Sequence, residues 1–315
     1  MSKEKVAFIF PGQGSQYPGM GKSFVETFPT ARHTFEEAND LLGRDIASII
    51  LNGPEKTLTE TRNSQVGIFV MSVALLRVVK EQFPNLVPHF SAGLSLGEYT
   101  ALHAAEYLDF AHCLPLVQHR GQFMNDACEK HVGTMAVILG LTAEEVEALV
   151  REVNMPNDLW AANFNCPGQV VISGTPKGVE AGKEIALQRG AKRVLPLQVH
   201  GAFHSGLMEE AEEYLKPYIE EAPITGGNAV LVMNVTGKEE KDLNAIRKNL
   251  IKQVTSPVRW EQGIRFMMDQ GVDLFVEIGC GKTLAGFNKR INVPVPTISI
   301  ENAEDLNKLE EIKVG

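Results

Sequence analysis

Residues 91–99 read SAGLSLGEY and contain the pattern G-x-S-x-G around Ser95. The segment 87–90 before the pattern predicts a short strand, and the Leu-, Ala- and Glu-rich segment 96–107 predicts a helix. This order of strand, turn and helix is the context of a nucleophile elbow, whose turn is too crowded for side chains beside the serine. Such a turn exposes the serine Oγ and directs helix N–H groups at whatever the serine attacks.

The pattern alone does not decide the function. It arises by chance in about one chain in ten of this length, given average glycine and serine content. A glycine-rich turn whose serine caps the following helix is the alternative interpretation. A nucleophilic Ser95 therefore needs support from residues elsewhere in the chain.

Composition narrows the class of protein. The chain has 315 residues, of which 44% are hydrophobic and 22% charged, enough for a sizeable core. This length fits two domains or one large α/β unit with an inserted subdomain. The formal net charge of -9 argues against a general binder of nucleic acids or anionic membranes, because neither attracts an acidic surface. The longest apolar stretch, 66–79, is interrupted by Arg77 and is too short to span a bilayer.

The four cysteines are widely spaced and form no C-x-x-C pair. We interpret them as reduced thiols of a cytoplasmic protein, with neither a zinc site nor a disulfide. The apolar run 6–10 ends at Pro11, which indicates a buried strand rather than a signal peptide. Segments 21–23 and 281–283 resemble the end of a P-loop, but both lack the required upstream glycine, which argues against an NTPase.

The glycine-rich loop 11–16 follows the first predicted strand. Loops at the carboxyl ends of strands are where open α/β sheets form their sites. Apolar periodicity predicts helices over 24–42, 65–80 and 110–128. The N-terminal part of the chain therefore has the pattern of an α/β protein.

Arg120 lies at the border of the apolar face of the helix predicted over 110–128. A guanidinium in that position needs an anionic partner or a water-filled cleft. Most such arginines form structural ion pairs, and the functional alternative is a bidentate grip on a substrate carboxylate. Arg120 is therefore a candidate for binding an anionic substrate.

Beyond residue 133 the pattern changes to six short elements in the order β-α-β-β-α-β, predicted over 135–139, 142–153, 160–165, 169–173, 177–189 and 192–198. This is the ferredoxin-like order. We place an inserted ferredoxin-like subdomain at 131–198, and the large subdomain at 1–130 and 199–315.

Two histidines, His200 and His204, follow the last of these strands. Their i, i+4 spacing would suit a metal only on a helix, and Gly201 makes a helix there unreliable. No glutamate follows His200 as a zincin requires, so we expect no metal. At a junction between subdomains, His204 is instead a candidate general base for Ser95.

The C-terminal part continues the α/β alternation. Apolar patterning predicts strands over 229–234 and 273–278, with helices over 243–254 and 260–270 between them. After residue 300 we expect a polar helix or a frayed end.

Five motifs together identify a family resemblance. They are PGQGSQ at 11–16, GLSLGEY at 93–99, Arg120, AFHS at 202–205 and SPVRW at 256–260. In this order and spacing they resemble the malonyl-CoA:acyl carrier protein transacylases, over nearly the whole chain. The resemblance implies an α/β-hydrolase-like large subdomain with a ferredoxin-like insert, which agrees with the α/β order above.

The resemblance also implies an activity. Such an enzyme transfers a malonyl group from malonyl-CoA to the phosphopantetheine thiol of acyl carrier protein through an acyl-serine, and supplies fatty acid synthesis. Malonyl-CoA is then a substrate, and we expect no cofactor. The implied partner is acyl carrier protein, and we expect a cytoplasmic monomer.

Catalytic roles follow from the resemblance residue by residue. Ser95 is implied as the nucleophile and His204 as its base, with no carboxylate as a third member. The backbone carbonyl of Gln253 is implied to orient the imidazole. The backbone amides of Gln13 and Leu96 are implied to form the oxyanion hole.

Substrate contacts follow in the same way. Arg120 is implied to hold the free carboxylate of the malonyl group, with Gln65 beside it, and Phe203 matches family members that prefer malonyl over branched groups. The chain departs from the family pattern at Val66, where a proline is usual, and at Leu94, where a histidine is usual. The second departure removes a polar group beside the acyl pocket and puts rate and acyl selectivity in question.

Two other functions remain open on the sequence. A serine acyl hydrolase shares the elbow but normally has an acid between its serine and histidine in chain order, and we nominate none here. An inactive scaffold that binds the carrier protein is suggested by Leu94.

Overall fold

The computed structural model describes residues 4–199 and 201–311. These residues form ten strands in two sheets: β1 (Val6–Phe10), β2 (Phe90–Gly93), β3 (Thr134–Leu139), β4 (Leu159–Cys166), β5 (Gln169–Gly174), β6 (Arg193–Pro196), β7 (Val230–Met233), β8 (Lys238–Glu240), β9 (Leu274–Ile278) and β10 (Thr297–Ile300).

The helices of the described residues are α1 (Lys22–Thr27), α2 (Pro29–Leu42), α3 (Ile46–Asn52), α4 (Glu55–Thr59), α5 (Thr61–Gln82), α6 (Gly97–Ala104), α7 (Phe110–Lys130), α8 (Ala143–Val153), α9 (Pro176–Gln188), α10 (Glu209–Glu221), α11 (Leu243–Lys252), α12 (Trp260–Asp269), α13 (Thr283–Ile291) and α14 (Asn307–Glu310). Short 3₁₀ turns cover Gly206–Met208 and Ala303–Leu306.

The larger sheet has the order β10-β9-β1-β2-β7-β8, and all neighbouring strands except β7 and β8 are parallel. Alternate residues of β1 enter different apolar cores: Phe8 and Phe10 pack with α5 on one face, and Ala7 and Ile9 pack with α12 and α13 on the other. A parallel strand covered by helices on both faces is apolar at every position, as β1 is. The predicted α/β class is confirmed.

Four loops meet at the carboxyl edge of this sheet. They follow β9, β1, β2 and β7, which are adjacent in the sheet. The loop after β1 lies directly against the elbow after β2, since a Cβ added to Gly12 would be 2.3 Å from the carbonyl oxygen of Leu94. The residues expected in the site are therefore gathered where parallel sheets form their crevices.

The smaller sheet is antiparallel with the order β4-β5-β3-β6. Strands and helices follow one another as β-α-β-β-α-β from β3 to β6, so the ferredoxin-like prediction is confirmed. The subdomain boundaries at 131 and 198 stay a prediction.

A pair of backbone hydrogen bonds joins strand β4 of the smaller sheet to residue Val258 of the large subdomain. The N–H of Phe164 on β4 donates to the carbonyl of Val258, and the N–H of Val258 donates to the carbonyl of Ala162. Residues 253–258 form the segment from which His204 is held, described below. The inserted sheet therefore supports the segment of the large subdomain whose carbonyls hold the predicted base.

Helix α5 corrects the interpretation of the apolar stretch 66–79. The stretch belongs to a helix of 22 residues that is long and apolar enough to cross a membrane by length and composition, so the shortness of the stretch does not exclude a span. However, 89% of its most apolar window is buried inside the fold. Burial against helices and sheet explains this apolar composition.

Two predicted elements have different bounds. The helix predicted over 24–42 is divided into α1 and α2 at Phe28, because Pro29 has no N–H to donate and takes the first helical position instead. The strand predicted over 87–90 is shifted to β2, where Phe90 to Gly93 find partners on β1. The helix after the elbow ends at Ala104, before Glu106, whose φ is 65°.

We expect Gly93→Ala to lower the free energy of unfolding by about 3 kcal/mol, measured by urea denaturation. A Cβ at Gly93 would lie 1.9 Å from the carbonyl carbon and oxygen of Gly97, and backbone atoms cannot rotate away. Gly286→Ala on α13 is the matched control, since a Cβ there meets nothing within 4 Å. Alanine should stabilise that helix by about 0.5–1 kcal/mol. Similar effects in both variants would contradict the steric explanation.

Candidate active site

Ser95 lies at the turn between β2 and α6 with a left-handed backbone, φ 52°. Non-glycine residues adopt this conformation rarely, and it is common at functional turns. Glycine is required on both sides, because a Cβ at Gly97 would lie 2.3 Å from the carbonyl oxygen of Phe10. The close contacts fix the elbow and hold the Ser95 Oγ 2.8 Å from Nε2 of His204.

His204 is 2% exposed, and its backbone is also left-handed, with φ 56°. Its Nδ1 lies 2.8 Å from the carbonyl oxygen of Gln253 and 3.1 Å from that of Ser256. Carbonyl oxygens only accept hydrogen bonds, so Nδ1 must carry the proton. The unprotonated Nε2 is then the atom that accepts the hydrogen bond from Ser95.

The environment of His204 favours the neutral imidazole. Burial, and after it the charge of Arg120, lower the pKa of His204 to about 4, although the hydrogen bonds to the carbonyls of Gln253 and Ser256 oppose the shift. A base whose pKa is this low is unprotonated at neutral pH. The imidazole is therefore ready to take a proton from Ser95.

Arg120 on α7 is fully buried directly beneath Ser95. Its Nη1 donates to Oε1 of Gln65 at 2.5 Å, and its Nη2 donates to Ser95 Oγ at 3.1 Å and to Oε1 of Gln253 at 2.9 Å. These acceptors are neutral, and Nε has no hydrogen-bond partner among residues 4–199 and 201–311. Burial lowers the pKa of Arg120, and Tyr99 and Glu98 oppose that shift.

The alternative of a structural ion pair for Arg120 is not observed in the part of the chain that the structure describes. The salt bridges found there connect other residues. A buried cation that contacts only neutral oxygens retains the capacity to bind an anion. The position of Arg120 beside Ser95 Oγ places that capacity next to the predicted nucleophile.

Gln65 and Gln13 continue the cluster. Nε2 of Gln65 donates to Oε1 of Gln13 at 3.4 Å, and Nε2 of Gln13 donates to Thr61 Oγ1 at 3.3 Å. The backbone N–H groups of Gln13 and Leu96 make no hydrogen bond to another described residue. Two donors on the loops after β1 and β2 are thus free for a ligand.

A cavity of about 370 Å³ opens above Ser95 and His204. Gln13, Leu94 and Phe203 lie in its wall. Phe203 is 7% exposed and Leu94 packs against the core of α12 and α13. A second cavity of about 750 Å³ shares lining residues with the first, so the two together can hold an extended substrate.

The family model for the acyl transferase domain matches residues 7–289. The malonyl CoA-acyl carrier protein transacylase of Bacillus subtilis (strain 168) is 43% identical over 303 residues, which cover 96% of this chain and 95% of that protein. The chain belongs to the malonyl CoA-acyl carrier protein transacylase family. The transacylase of Haemophilus influenzae is 39% identical over 99% of this chain and 100% of its own length.

Solved transacylase structures share the fold. A malonyl-transacylase in complex with a type II PKS acyl-carrier protein has a TM-score of 0.94 at 37% identity, and covers 98% of this chain and 100% of that one. The Streptococcus pneumoniae enzyme has a TM-score of 0.93 at 35% identity, with 98% and 100% covered. The resemblance to the transacylase family that rests on the five motifs is confirmed.

Six of the residues that the sequence singled out form one hydrogen-bonded cluster: Ser95, His204, Gln253, Arg120, Gln65 and Gln13. Leu96 and Phe203 lie beside it. Their individual roles stay predictions. His200 lies outside the described residues, and within those residues no group of three or more His, Cys, Asp or Glu could hold a metal.

Sequence reasoning missed two buried residues of the cluster. Asn234 bonds to the backbone on both sides of Leu94, and Glu98 accepts the N–H of Asn234 at 2.5 Å. Burial raises the pKa of Glu98 to about 8, against the hydrogen bond from Asn234 and the charge of Arg120. The available signals were the position of Asn234 at the end of the strand predicted over 229–234 and the carboxylate of Glu98 within the predicted elbow helix.

We expect the acylation rate of Ser95 to fall in acid only as pH approaches about 4, where His204 becomes protonated. Arg120→Gln removes one cause of the low pKa, so its acidic limb should lie at higher pH. The measurement is the pH dependence of acetyl-adduct formation with p-nitrophenyl acetate, a neutral ester that needs no carboxylate site, followed by intact mass.

Arg77→Gln is the control for loss of a positive charge, because Arg77 pairs with Glu37 away from the site. Its acidic limb should coincide with that of the parent. An unshifted limb in Arg120→Gln would show that Arg120 does not affect the pKa of His204.

Proposed function

We propose that this protein transfers a malonyl group from malonyl-CoA to the phosphopantetheine thiol of an acyl carrier protein through a malonyl-Ser95 intermediate. One observation carries the proposal: a continuous hydrogen-bond series joins the carbonyl of Gln253, the imidazole of His204, Ser95 Oγ and the guanidinium of Arg120. It combines an activated nucleophile with a buried cation. Membership in the transacylase family supports the same reaction.

In the first half-reaction, His204 Nε2 takes the proton of Ser95 as Oγ attacks the thioester carbonyl. The tetrahedral intermediate collapses when the C–S bond breaks. The imidazolium then returns its proton to the departing CoA sulfur, and malonyl-Ser95 remains. Gln253 and Ser256 keep the imidazole in the productive tautomer throughout, because their carbonyls accept only from Nδ1–H.

The oxyanion of the intermediate requires donors that are already in place. The N–H groups of Gln13 and Leu96 are the proposed pair, on two loops that the contact between Gly12 and Leu94 holds together. Each such donor contributes about 3 to 4 kcal/mol to stabilisation of the transition state.

Arg120 is the proposed site for the free carboxylate of the malonyl group. A carboxylate can replace the neutral acceptors of Nη1 and Nη2, and the guanidinium exchanges weak partners for a bidentate, charge-assisted pair. Gln65 and Phe203 are proposed to complete the acyl site. Gln65, whose Oε1 would give up Nη1 to the carboxylate, would lie beside the bound group, and Phe203 would limit the size of the acyl group.

The second half-reaction reverses the first with a different thiol. The carrier's thiol donates its proton to His204 Nε2 as its sulfur attacks the ester carbonyl. The bond from that carbonyl to Ser95 Oγ then breaks, the imidazolium returns the proton to Oγ, and the malonyl thioester of the carrier departs. The two cavities that share a wall offer room for the long phosphopantetheine arm. We propose a monomer that acts in the cytoplasm, in fatty acid synthesis, without a cofactor.

The rival functions have less support. His204 Nδ1 contacts two backbone carbonyls rather than a carboxylate, which differs from the triad of serine hydrolases. An inactive scaffold would not need Ser95 and His204 within hydrogen-bond distance, and Leu94 leaves that contact intact.

We expect a brief reaction with malonyl-CoA to give a malonyl adduct by intact mass on the parent protein and none on Ser95→Ala. A phosphopantetheine-loaded carrier protein should discharge the adduct and gain its mass. Release of free malonate without transfer would indicate a hydrolase, and absence of both adduct and release would indicate a binding protein.

Arg120→Ala should reduce malonyl transfer by at least about 100-fold and change acetyl transfer far less, because acetyl has no carboxylate to pair. The ratio of kcat/KM for malonyl-CoA to that for acetyl-CoA measures this. Arg77→Ala serves as the control on a half-buried arginine of α5 that pairs with Glu37. A preserved ratio in Arg120→Ala would remove the assignment of the carboxylate site.

A further inference from the structure

The backbone hydrogen bonds between β2 and β7, which support the elbow, end before Ser95. Strand β2 pairs with β7 through three residues, and the last pair is Ala92 with Val232. Beyond it the chain turns into the left-handed conformation of Ser95. The carbonyl of Gly93 and the N–H of Ser95 therefore need partners other than a neighbouring strand.

The side chain of Asn234 supplies both partners. It follows β7 directly and is 3% exposed. Its Nδ2 donates to the carbonyl of Gly93 at 2.7 Å, and its Oδ1 accepts from the N–H of Ser95 at 2.7 Å. One planar amide thus replaces a backbone peptide and extends the ladder across the turn.

Asn234 is itself fixed by buried groups. Its backbone N–H donates to Oε2 of Glu98, and its Oδ1 also accepts from Nε2 of Gln253 at 3.3 Å. The same Nε2 donates to the carbonyl of Ser95 at 2.9 Å. The backbone carbonyl of Gln253 also accepts from the ring of His204. The side chains of Asn234 and Gln253 therefore hold the peptide groups on both sides of Ser95, and Gln253 holds the imidazole as well.

We propose that Asn234 is a positioning residue that holds the elbow in its left-handed conformation and so aligns Ser95 Oγ with His204 Nε2. This inference rests on the proposed acyl transfer at Ser95. Asn234 is not among the residues that line the cavity above Ser95. It acts through the nucleophile rather than through contact with the substrate.

The role predicts a split between rate and binding. Loss of the amide frees the turn, and a displaced nucleophile costs reaction rate, whereas the surfaces that contact malonyl-CoA keep their shape. We expect Asn234→Ala to slow formation of malonyl-Ser95 by about 10- to 100-fold, with KM for malonyl-CoA nearly unchanged. A merely structural residue would lower stability without slowing acylation per folded molecule.

Asn288→Ala is the matched control. Asn288 is 1% exposed, and its side-chain amide donates to Thr297 Oγ1 at 3.0 Å, between α13 and β10. It therefore reports the loss of a buried asparagine hydrogen bond away from Ser95. Its acylation rate per folded molecule should equal that of the parent.

Asn234→Asp provides a second variant of nearly the same volume. A protonated aspartic acid can donate to Gly93 and accept from Ser95 as the amide does, whereas the carboxylate cannot donate. The acylation rate relative to the parent should therefore rise as pH falls from 8 to 5.5. The titratable or charged residues near this position are Glu98, Arg259, whose backbone N–H donates to the carbonyl of Asn234, and, through Gln253, Arg120 and His204.

The experiment measures single-turnover acylation by malonyl-CoA and inactivation by phenylmethylsulfonyl fluoride, which reports the reactivity of Ser95 without malonyl recognition. Slow reaction of Asn234→Ala in both assays and rescue of Asn234→Asp in acid would support the proposal. Parental rates in Asn234→Ala, a raised KM alone, equal losses in Asn288→Ala, or no acid rescue would overturn it. If the parent reacts only with the sulfonyl fluoride, the proposed transfer fails and that assay still tests Asn234.

Discussion

The contact between the backbones of Gly93 and Gly97 determines where every other group of the site can be. The chain leaves β2, reverses within a few residues and starts α6 with no room for a side chain between the two arms of the turn. This close approach places Ser95 above the sheet edge with its Oγ between His204 and Arg120. Both side chains lie at hydrogen-bond distances that suit this one position of the serine.

Below the turn, two ionisable groups have their pKa values moved away from their ordinary ranges. Burial favours the neutral form of each, so the pKa of His204 falls and that of Glu98 rises. Arg120 acts on both in the same direction, toward lower pKa. The guanidinium thus adds to the effect of burial at His204 and opposes it at Glu98, in addition to its proposed contact with substrate.

Much of the fold is predictable from the sequence because most elements carry their own periodicity. The six elements of the four-stranded sheet lie close to their predicted bounds. The sequence analysis did not predict helix α13 and strand β10. The first backbone N–H groups of α13 donate hydrogen bonds to the buried carboxylate of Glu277 on β9, and no local sequence pattern reveals that contact.

The site shows the same limit. Ser95 and His204 stand in motifs that indicate chemistry, and Arg120 stood out by its place on an apolar helix face. The sequence could not decide between an ion pair and an open cation for Arg120, since the answer depends on which side chains the fold brings to it. The position of Asn234 at the end of a predicted strand did not reveal its function, because that function arises only when β7 lies beside β2.

The carbonyl support of His204 has a consequence for chemoselectivity. A backbone carbonyl orients the ring but carries no full negative charge, so the imidazolium formed during proton transfer is stabilised less than beside a carboxylate. Such a base suits an acidic acceptor. A thiol has a pKa near 8.5 and water one of about 15.7, so the thiol needs far less basic assistance to become a nucleophile. In the proposed reaction, the weak electrostatic support of the imidazole would therefore discriminate between two acceptors by their acidity, and it would preserve the ester on Ser95 until a thiol arrives.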